Sequence, residues 1–325
     1  MQTVQLGKDG PTVSRIGLGA MGMSGMYGPS DRAESIATLH AALNAGINLI
    51  DTGDFYGMGH NEMLIGEALK GRRDQAFLSV KFGAQRDPNG AFIGYDARPA
   101  AVKTALAYTL QRLGVDHIDL YRPARVDPTV PIEETVGAIA ECVQAGWVRH
   151  IGLSEVSAAT LKKAAAVHPI RDVQIEYAVA TRGIEDTLLP TSREMGVSIT
   201  AYGVLSRGLL GGVTDTSGKG DYRGHLPRYS GDNFAANLKM VEAFGAVADG
   251  KGISKATLAF AWALAQGQDI VPLAGVRKRS QLADAIAALD VTLTSADLAA
   301  IEAAVPKSGF LGDRYPAAQM GALEQ

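Results

Sequence analysis

Short apolar runs recur eight times along this chain, each separated from the next by a helix-length stretch or more. That alternation limits the possible folds more than any other feature. The runs lie at 16–20, 47–51, 76–81, 118–121, 150–153, 173–175, 198–201 and 270–273. Most lack strict polar–apolar alternation, as expected of parallel strands buried on both faces. Amphipathic stretches at 32–44, 99–113, 132–145, 158–166 and 254–265 read as helices between them. The βαβα order argues for a parallel sheet, and eight repeats favour closure into a (β/α)8 TIM barrel over an open sheet. Such a barrel takes about 250 residues, more with insertions. The 325 residues present are therefore expected to form a single domain over 1–325.

Two segments depart from the repeat. Residues 1–14 carry Gly7-Lys8-Asp9-Gly10 between short β-prone runs, which predicts a hairpin across the bottom of the barrel. Residues 203–233 are rich in Gly, Ser and Asp and weakly patterned, so a long loop covering a site is expected after the seventh strand. Pro99 suits the first turn of its helix, where its missing N–H costs nothing. Thr294 with Asp297 offers a capping box for a last helix over 296–304.

The formal net charge of −3 gives no electrostatic case for nucleic acid or an anionic membrane. No apolar run approaches the roughly 18 residues of a membrane span, and the N-terminus lacks the blocks of a signal peptide. A cytoplasmic location is expected. The single cysteine, Cys142, cannot form an internal disulfide and reads as an inert core thiol. The six histidines lack metal-ligand spacing, so no metal is expected. Gly17-Leu18-Gly19-Ala20-Met21-Gly22 fits a dinucleotide fingerprint, but a glycine-broken stretch ending in Pro29 follows it where that motif opens a helix directly.

A barrel of this kind places its chemistry at the carboxyl ends of the strands. There stand Gly19-Ala20-Met21, Asp51, Lys81, Arg122, Ser154-Glu155, Gln174, Tyr202 and Gly275 through Arg277. Singly, each has an ordinary explanation as a turn residue or a solvated charge. Asp51 and Lys81, however, close consecutive strands, with Tyr56 just beyond the first. An ammonium near a phenol stabilises the phenolate and lowers its pKa from about 10. A phenol so tuned can protonate a carbonyl oxygen, or deprotonate an alcohol in reverse.

Several ordered blocks resemble the aldo-keto reductases. They are Leu49-Ile50-Asp51-Thr52, Tyr56-Gly57, Asn61-Glu62, Gly66-Glu67-Ala68-Leu69, Lys81-Phe82-Gly83, Ile151-Gly152-Leu153-Ser154-Glu155, Gln174-x-Glu176-Tyr177, Tyr202 with Leu205 and Arg207-Gly208-Leu209-Leu210, and Gly312-Asp313-Arg314-Tyr315-Pro316. The resemblance implies a (β/α)8 enzyme that moves a hydride between NADP(H) and a small carbonyl compound or alcohol. Tyr56 would be the general acid, Lys81 would lower its pKa, and Asp51 would hold Lys81. Gly19, Ala20, Met21 and Asp51 would approach the nicotinamide. Ser154 and Gln174 would hold its carboxamide, and Tyr202 would stack on its ring. Val204, Leu205, Ser206, Arg207, Gly208 and Leu209 would follow the pyrophosphate. Gly275, Arg277, Arg279 and Gln281 would grip the 2′-phosphate, and Asp284 falls at the adenine. Met23, Phe55, Phe82 and Arg122 would join Tyr56 on the substrate side.

One departure bears on the chemistry. The family usually has Tyr-Gln-His-Arg-Val-Asp after the fourth strand, whereas this chain reads Tyr121-Arg122-Pro123-Ala124-Arg125-Val126-Asp127. Ala124 takes the place of the catalytic His, and a methyl cannot donate a hydrogen bond to the carbonyl oxygen. The replacement resembles the pyridoxal-reductase-like branch. That brings pyridoxal, other aromatic aldehydes and bulky ketones into view, with Arg122 expected to face the pocket and favour anionic substrates. The alternative is an NADP(H)-binding sensor or regulatory subunit with weak turnover. The oligomeric state is left open.

Overall fold

The computed structural model describes residues 1–216, 218, 221–321, 323 and 324. Its strands in chain order are β1 (Thr3–Gln5), β2 (Thr12–Ser14), β3 (Gly17–Gly19), β4 (Leu49–Gly53), β5 (Phe77–Phe82), β6 (Ala84–Arg86), β7 (Phe92–Tyr95), β8 (Ile118–Pro123), β9 (Val148–Ser154), β10 (Ile170–Glu176), β11 (Ser198–Tyr202) and β12 (Ile270–Gly275). The helices are α1 (Arg32–Asn44), α2 (His60–Ala68), α3 (Pro99–Leu113), α4 (Ile132–Gln144), α5 (Ala158–Val167), α6 (Leu188–Met195), α7 (Gly231–Gly250), α8 (Lys255–Ala265), α9 (Arg279–Ala287), α10 (Ser295–Ala304) and α11 (Ala317–Met320). Strands β3, β4, β5, β8, β9, β10, β11 and β12 close in that order into a parallel barrel. All eight runs read from the sequence are barrel strands.

The barrel closes because each of its two surfaces has something to bury. Successive strand residues point to opposite sides. On β5, Leu78, Val80 and Phe82 face outward into the main core beneath the helices. Phe77 belongs instead to a second apolar cluster inside the barrel, with Leu49, Leu120, Val271 and Leu273. The outer layer is apolar to match: α4 buries Ile132, Val136, Ile139 and Cys142, a single stripe at helical spacing. Cys142 is fully buried there, and burial pushes its thiol pKa up.

The expected hairpin is present. β1 and β2 pair antiparallel, and Leu6 and Val13 beside them complete the interior apolar cluster. The barrel floor is thereby sealed against water, and the opposite mouth is left for function. Pro99 opens α3, and the capping box of Thr294 and Asp297 starts α10 one residue earlier than expected. The described residues of the long segment after β11 include 3-10 turns at Ser206–Gly211, Tyr222–His225 and Pro227–Tyr229, and α7 begins inside the segment's expected end. The second hairpin, β6 with β7, was not expected from the sequence. It rises from the end of β5 beside the mouth.

Candidate active site

Register carries Asp51 and Lys81 into the barrel. Asp51 lies two residues after Leu49, and Lys81 lies two after Ser79 and four after Phe77, so both share the parity of the interior cluster. Lys81 Nζ donates to Asp51 Oδ1 at 2.5 Å, with both side chains buried. Ser79 Oγ donates to Asp51 Oδ2 at 3.0 Å and Gln174 Nε2 donates to the same oxygen at 2.7 Å. This carboxylate is therefore held by a cation and two neutral donors.

Tyr56 follows β4 in a short turn made possible by left-handed backbone at Gly57 (φ 57°) and Met58 (φ 53°). Its ring is 7% exposed and meets Phe55 edge-on at 4.8 Å. Lys81 Nζ lies over the ring, 5.1 Å from its centroid. Acid, amine and phenol are thus brought together.

The electrostatics differ from the expectation in one respect. Burial, followed by the Asp51 carboxylate, drives the Tyr56 phenol well above its ordinary pKa. Burial, reinforced by the Arg122 guanidinium, lowers Lys81 despite Asp51. A cation whose charge is already answered by a carboxylate offers the phenolate little net attraction. Tyr56 is consequently held protonated, the form a proton donor needs.

Arg122 does not face a substrate pocket. It shares the inward parity of Leu120, is fully buried, and donates to Ser79 Oγ at 2.8 Å while pairing with Asp172 Oδ2 at 3.0 Å. Thr200 also donates to Asp172. A Cβ on Gly152 would come within 2.3 Å of Asp172 Oδ1, so the absent side chain makes room for this ion pair. Met23 and Phe82 likewise belong to the core: Met23 is 1% exposed, and Phe82 stacks on Tyr121 with ring centroids 4.5 Å apart. Ala124 directly follows β8, its N–H donating to Phe82 O at 2.8 Å.

Sequence reasoning missed the next residue. Arg125 is partly buried at the mouth and is the nearby cation that lowers the Tyr56 pKa against the larger upward effects. Its Nη2 donates to Tyr315 Oη at 3.3 Å. Tyr315 comes from the C-terminal segment and also shares a hydrogen bond with Tyr202 Oη at 2.9 Å. Glu155 anchors this group: it accepts from Tyr202 at 2.7 Å and from both terminal nitrogens of Arg314. Burial opposes its charge, but Arg314 and Arg125 hold its pKa below the usual value. The signal was in the sequence, as Arg-Tyr near the C-terminus and an arginine beside the missing His, but contacts 190 residues apart leave no periodicity to detect.

Ser154 and Gln174 are register neighbours on β9 and β10, and the buried Ser154 Oγ has no partner among the described residues. An orphaned hydroxyl beside a side-chain amide fits a ligand carboxamide. Ser206 Oγ, in the loop beyond Tyr202, is orphaned too. That loop holds Ser206, Arg207 and Gly208 in left-handed conformations, and Val204 and Leu209 anchor it in the core, with Leu205 packed against that core. Arg207 pairs with Glu176 at 3.2 Å and stacks on Tyr315 at 4.4 Å. Gly19 and Gly275 face each other across β3 and β12, while Ala20 and Met21 lead into the adjoining turn. Arg277 donates to the carbonyls of Tyr27 and Pro29, Gln281 Oε1 accepts from the Arg277 N–H, and Arg279 pairs with Glu34 at 2.9 Å. The Asp284 carboxylate accepts from Ser254 Oγ at 2.7 Å, tying α9 to α8.

Comparison with known proteins agrees with this geometry. A profile of the Aldo/keto reductase family matches residues 15–306. The chain is 39% identical over 322 residues to "Aldo-keto reductase yakc [NADP(+)]" of Schizosaccharomyces pombe, covering 97% of this chain and 94% of that protein. It is 40% identical over 321 residues to "Probable aldo-keto reductase 1" of Glycine max, covering 97% and 92%. The structure of a glycerol dehydrogenase from Gluconobacter oxydans superposes with a TM-score of 0.85 at 31% identity, over 96% of this chain and 97% of that one. The chain belongs to the aldo/keto reductase family.

Proposed function

We propose that this protein is an NADPH-dependent reductase of aldehydes and ketones, running in reverse as an alcohol dehydrogenase. The observation that carries the reading is the buried cluster of Asp51, Lys81 and protonated Tyr56 at the barrel mouth. When bound, the dinucleotide supplies the hydride. Tyr56 gives its phenolic proton to the carbonyl oxygen and regains one from solvent, a step worth about 10²–10⁴ in rate. Lys81, fixed by Asp51, packs over the ring and positions it. Ser154 and Gln174 orient the carboxamide, Tyr202 presents its ring, and the loop 204–209 approaches the pyrophosphate. Arg277 and Arg279 can receive a 2′-phosphate by exchanging backbone carbonyls and Glu34 for it. Arginine's planar fork suits that group, and the yeast relative's name carries NADP(+). Phe55 and Tyr56 border the carbonyl, and pyridoxal-like aromatic aldehydes and bulky ketones are the proposed substrates. A cytoplasmic location fits this chemistry.

The test is oxidation of NADPH, and separately of NADH, against a panel of aldehydes and ketones. Turnover with NADPH preferred supports the reading. The competing reading, a cofactor-holding sensor, rests on the methyl at Ala124. Tight NADPH binding without turnover on any carbonyl would select it.

A further inference from the structure

Arg125 is a guanidinium at the mouth that forms no direct ion pair with a carboxylate among the described residues. Among the described residues, Arg207 and Arg228 pair with Glu176 and Arg314 pairs with Glu155. Arg125 instead bonds to its neighbour's carbonyl, Ala124 O, at 2.6 Å, and to the Tyr315 hydroxyl. Its hydrogen bonds go only to neutral oxygens, whereas buried charges are ordinarily paired directly. Around it stand phenols: burial acts against its charge, and Tyr315, Tyr202, Glu155 and Tyr95 more than offset that. Burial alone would raise the Tyr315 phenol, yet Arg207 and Arg125 bring it below its ordinary pKa. The Tyr315 oxygen therefore occupies a position where negative charge is favoured.

Place in the barrel says which ligand would use it. Arg125 follows β8, which lies diametrically across the ring from β12, after which Arg277 and Arg279 stand. It also directly follows Ala124, which stands where the family has its His, and is close enough to Tyr56 to act on its charge. The site thus faces the reacting carbonyl rather than the far end of a dinucleotide.

We propose that Arg125 is a specificity-determining residue that binds a carboxylate on the substrate, so that preferred substrates are carbonyl compounds bearing a carboxylate. This rests on the reductase reading above. The Tyr315 hydroxyl accepts from the guanidinium that the carboxylate would take. A carboxylate matches the planar fork of an arginine and bonds more strongly than a neutral phenol.

The test compares 4-carboxybenzaldehyde with methyl 4-formylbenzoate, which differ in charge but share the ring. For the native protein, kcat/KM is expected to favour the carboxylate at least tenfold. Arg125→Met should cut that ratio at least tenfold, chiefly through KM, and Arg125→Lys should restore part of it. Independently of turnover, benzoate binding to the cofactor-free protein, measured by calorimetry, should weaken at least tenfold in Arg125→Met. It should tighten in Tyr315→Phe, which removes the competing hydroxyl and decides the matter if the Arg125 variants do not fold. An unchanged substrate ratio in Arg125→Met, or benzoate binding indifferent to both positions, overturns the proposal and leaves the reductase reading standing. No NADPH oxidation with any carbonyl would instead overturn that reading, while benzoate binding still decides the role of Arg125.

Discussion

At the scale of single residues, charge inside the barrel does two kinds of work. Asp51 with Lys81 lies beside Tyr56 at the proposed reaction site, whereas Arg122 with Asp172 is a fully buried strut. Removing one partner of a buried ion pair costs about 3–5 kcal/mol, because the other charge is left uncompensated. Arg122→Ala is accordingly expected to lower unfolding free energy by about that much in urea titration. Its relative kcat/KM for charged and neutral aldehydes should not change. A stable Arg122→Ala protein with altered charge preference would return Arg122 to the substrate pocket.

Asp54, two residues before Tyr56, carries a pH dependence of its own. Burial, then the nearby Glu62, raises its carboxyl from 3.8 to about 7, and its Oδ1 has no hydrogen-bond partner among the described residues. The folded chain keeps this proton to higher pH than the unfolded chain does. The stabilisation is therefore full below pH 3.8 and is lost as pH rises through about 7. The total is on the order of 4 kcal/mol. Asp54→Asn should remove this slope, being more stable than the native protein at pH 8 and nearly equal to it at pH 4. Parallel stability curves for the two proteins would show that Asp54 titrates normally.

At the scale of elements, the floor and the mouth of the barrel are separable. The hairpin β1–β2 brings Leu6, fully buried, against Leu49, Phe77 and Leu120. Leu6→Ala is expected to cost about 2–5 kcal/mol and to leave KM for NADPH and aldehyde unaltered, since Leu6 follows β1 at the floor of the barrel. A large change in KM would mean that floor and mouth are coupled. The same contrast explains which elements were readable in advance. The hairpin was legible because Gly7 to Gly10 interrupts two β-prone runs, and α3 and α10 because Pro99 and Thr294 mark their starts. The hairpin β6–β7 was not, because Phe92 and Ile93 are exposed and supply no burial pattern. α7 was masked at its start by Gly231 and Asp232 within a polar stretch.

At the scale of the whole molecule, barrel closure converts strand parity into a site. Every second residue points inward, and at the open end those positions are Asp51, Lys81, Ser154 and Gln174. That part was legible, because strand ends can be read from the apolar runs and parity follows. The direction of Arg122 was equally implied by its spacing from Leu120, but the missing His drew attention to an empty pocket rather than to register. Tyr202 and Tyr315 stood among the family-like blocks, but their assembly with Arg125 into one cluster was not legible, since only the folded chain brings a C-terminal segment onto the mouth.

The role of Tyr56 as proton donor is tested most directly by Tyr56→Phe. Single-turnover reduction of an aldehyde by saturating NADPH should slow by about 10²–10⁴-fold, with NADPH affinity, read by fluorescence, within threefold of the native value. A variant that turns over at the native rate would contradict the account.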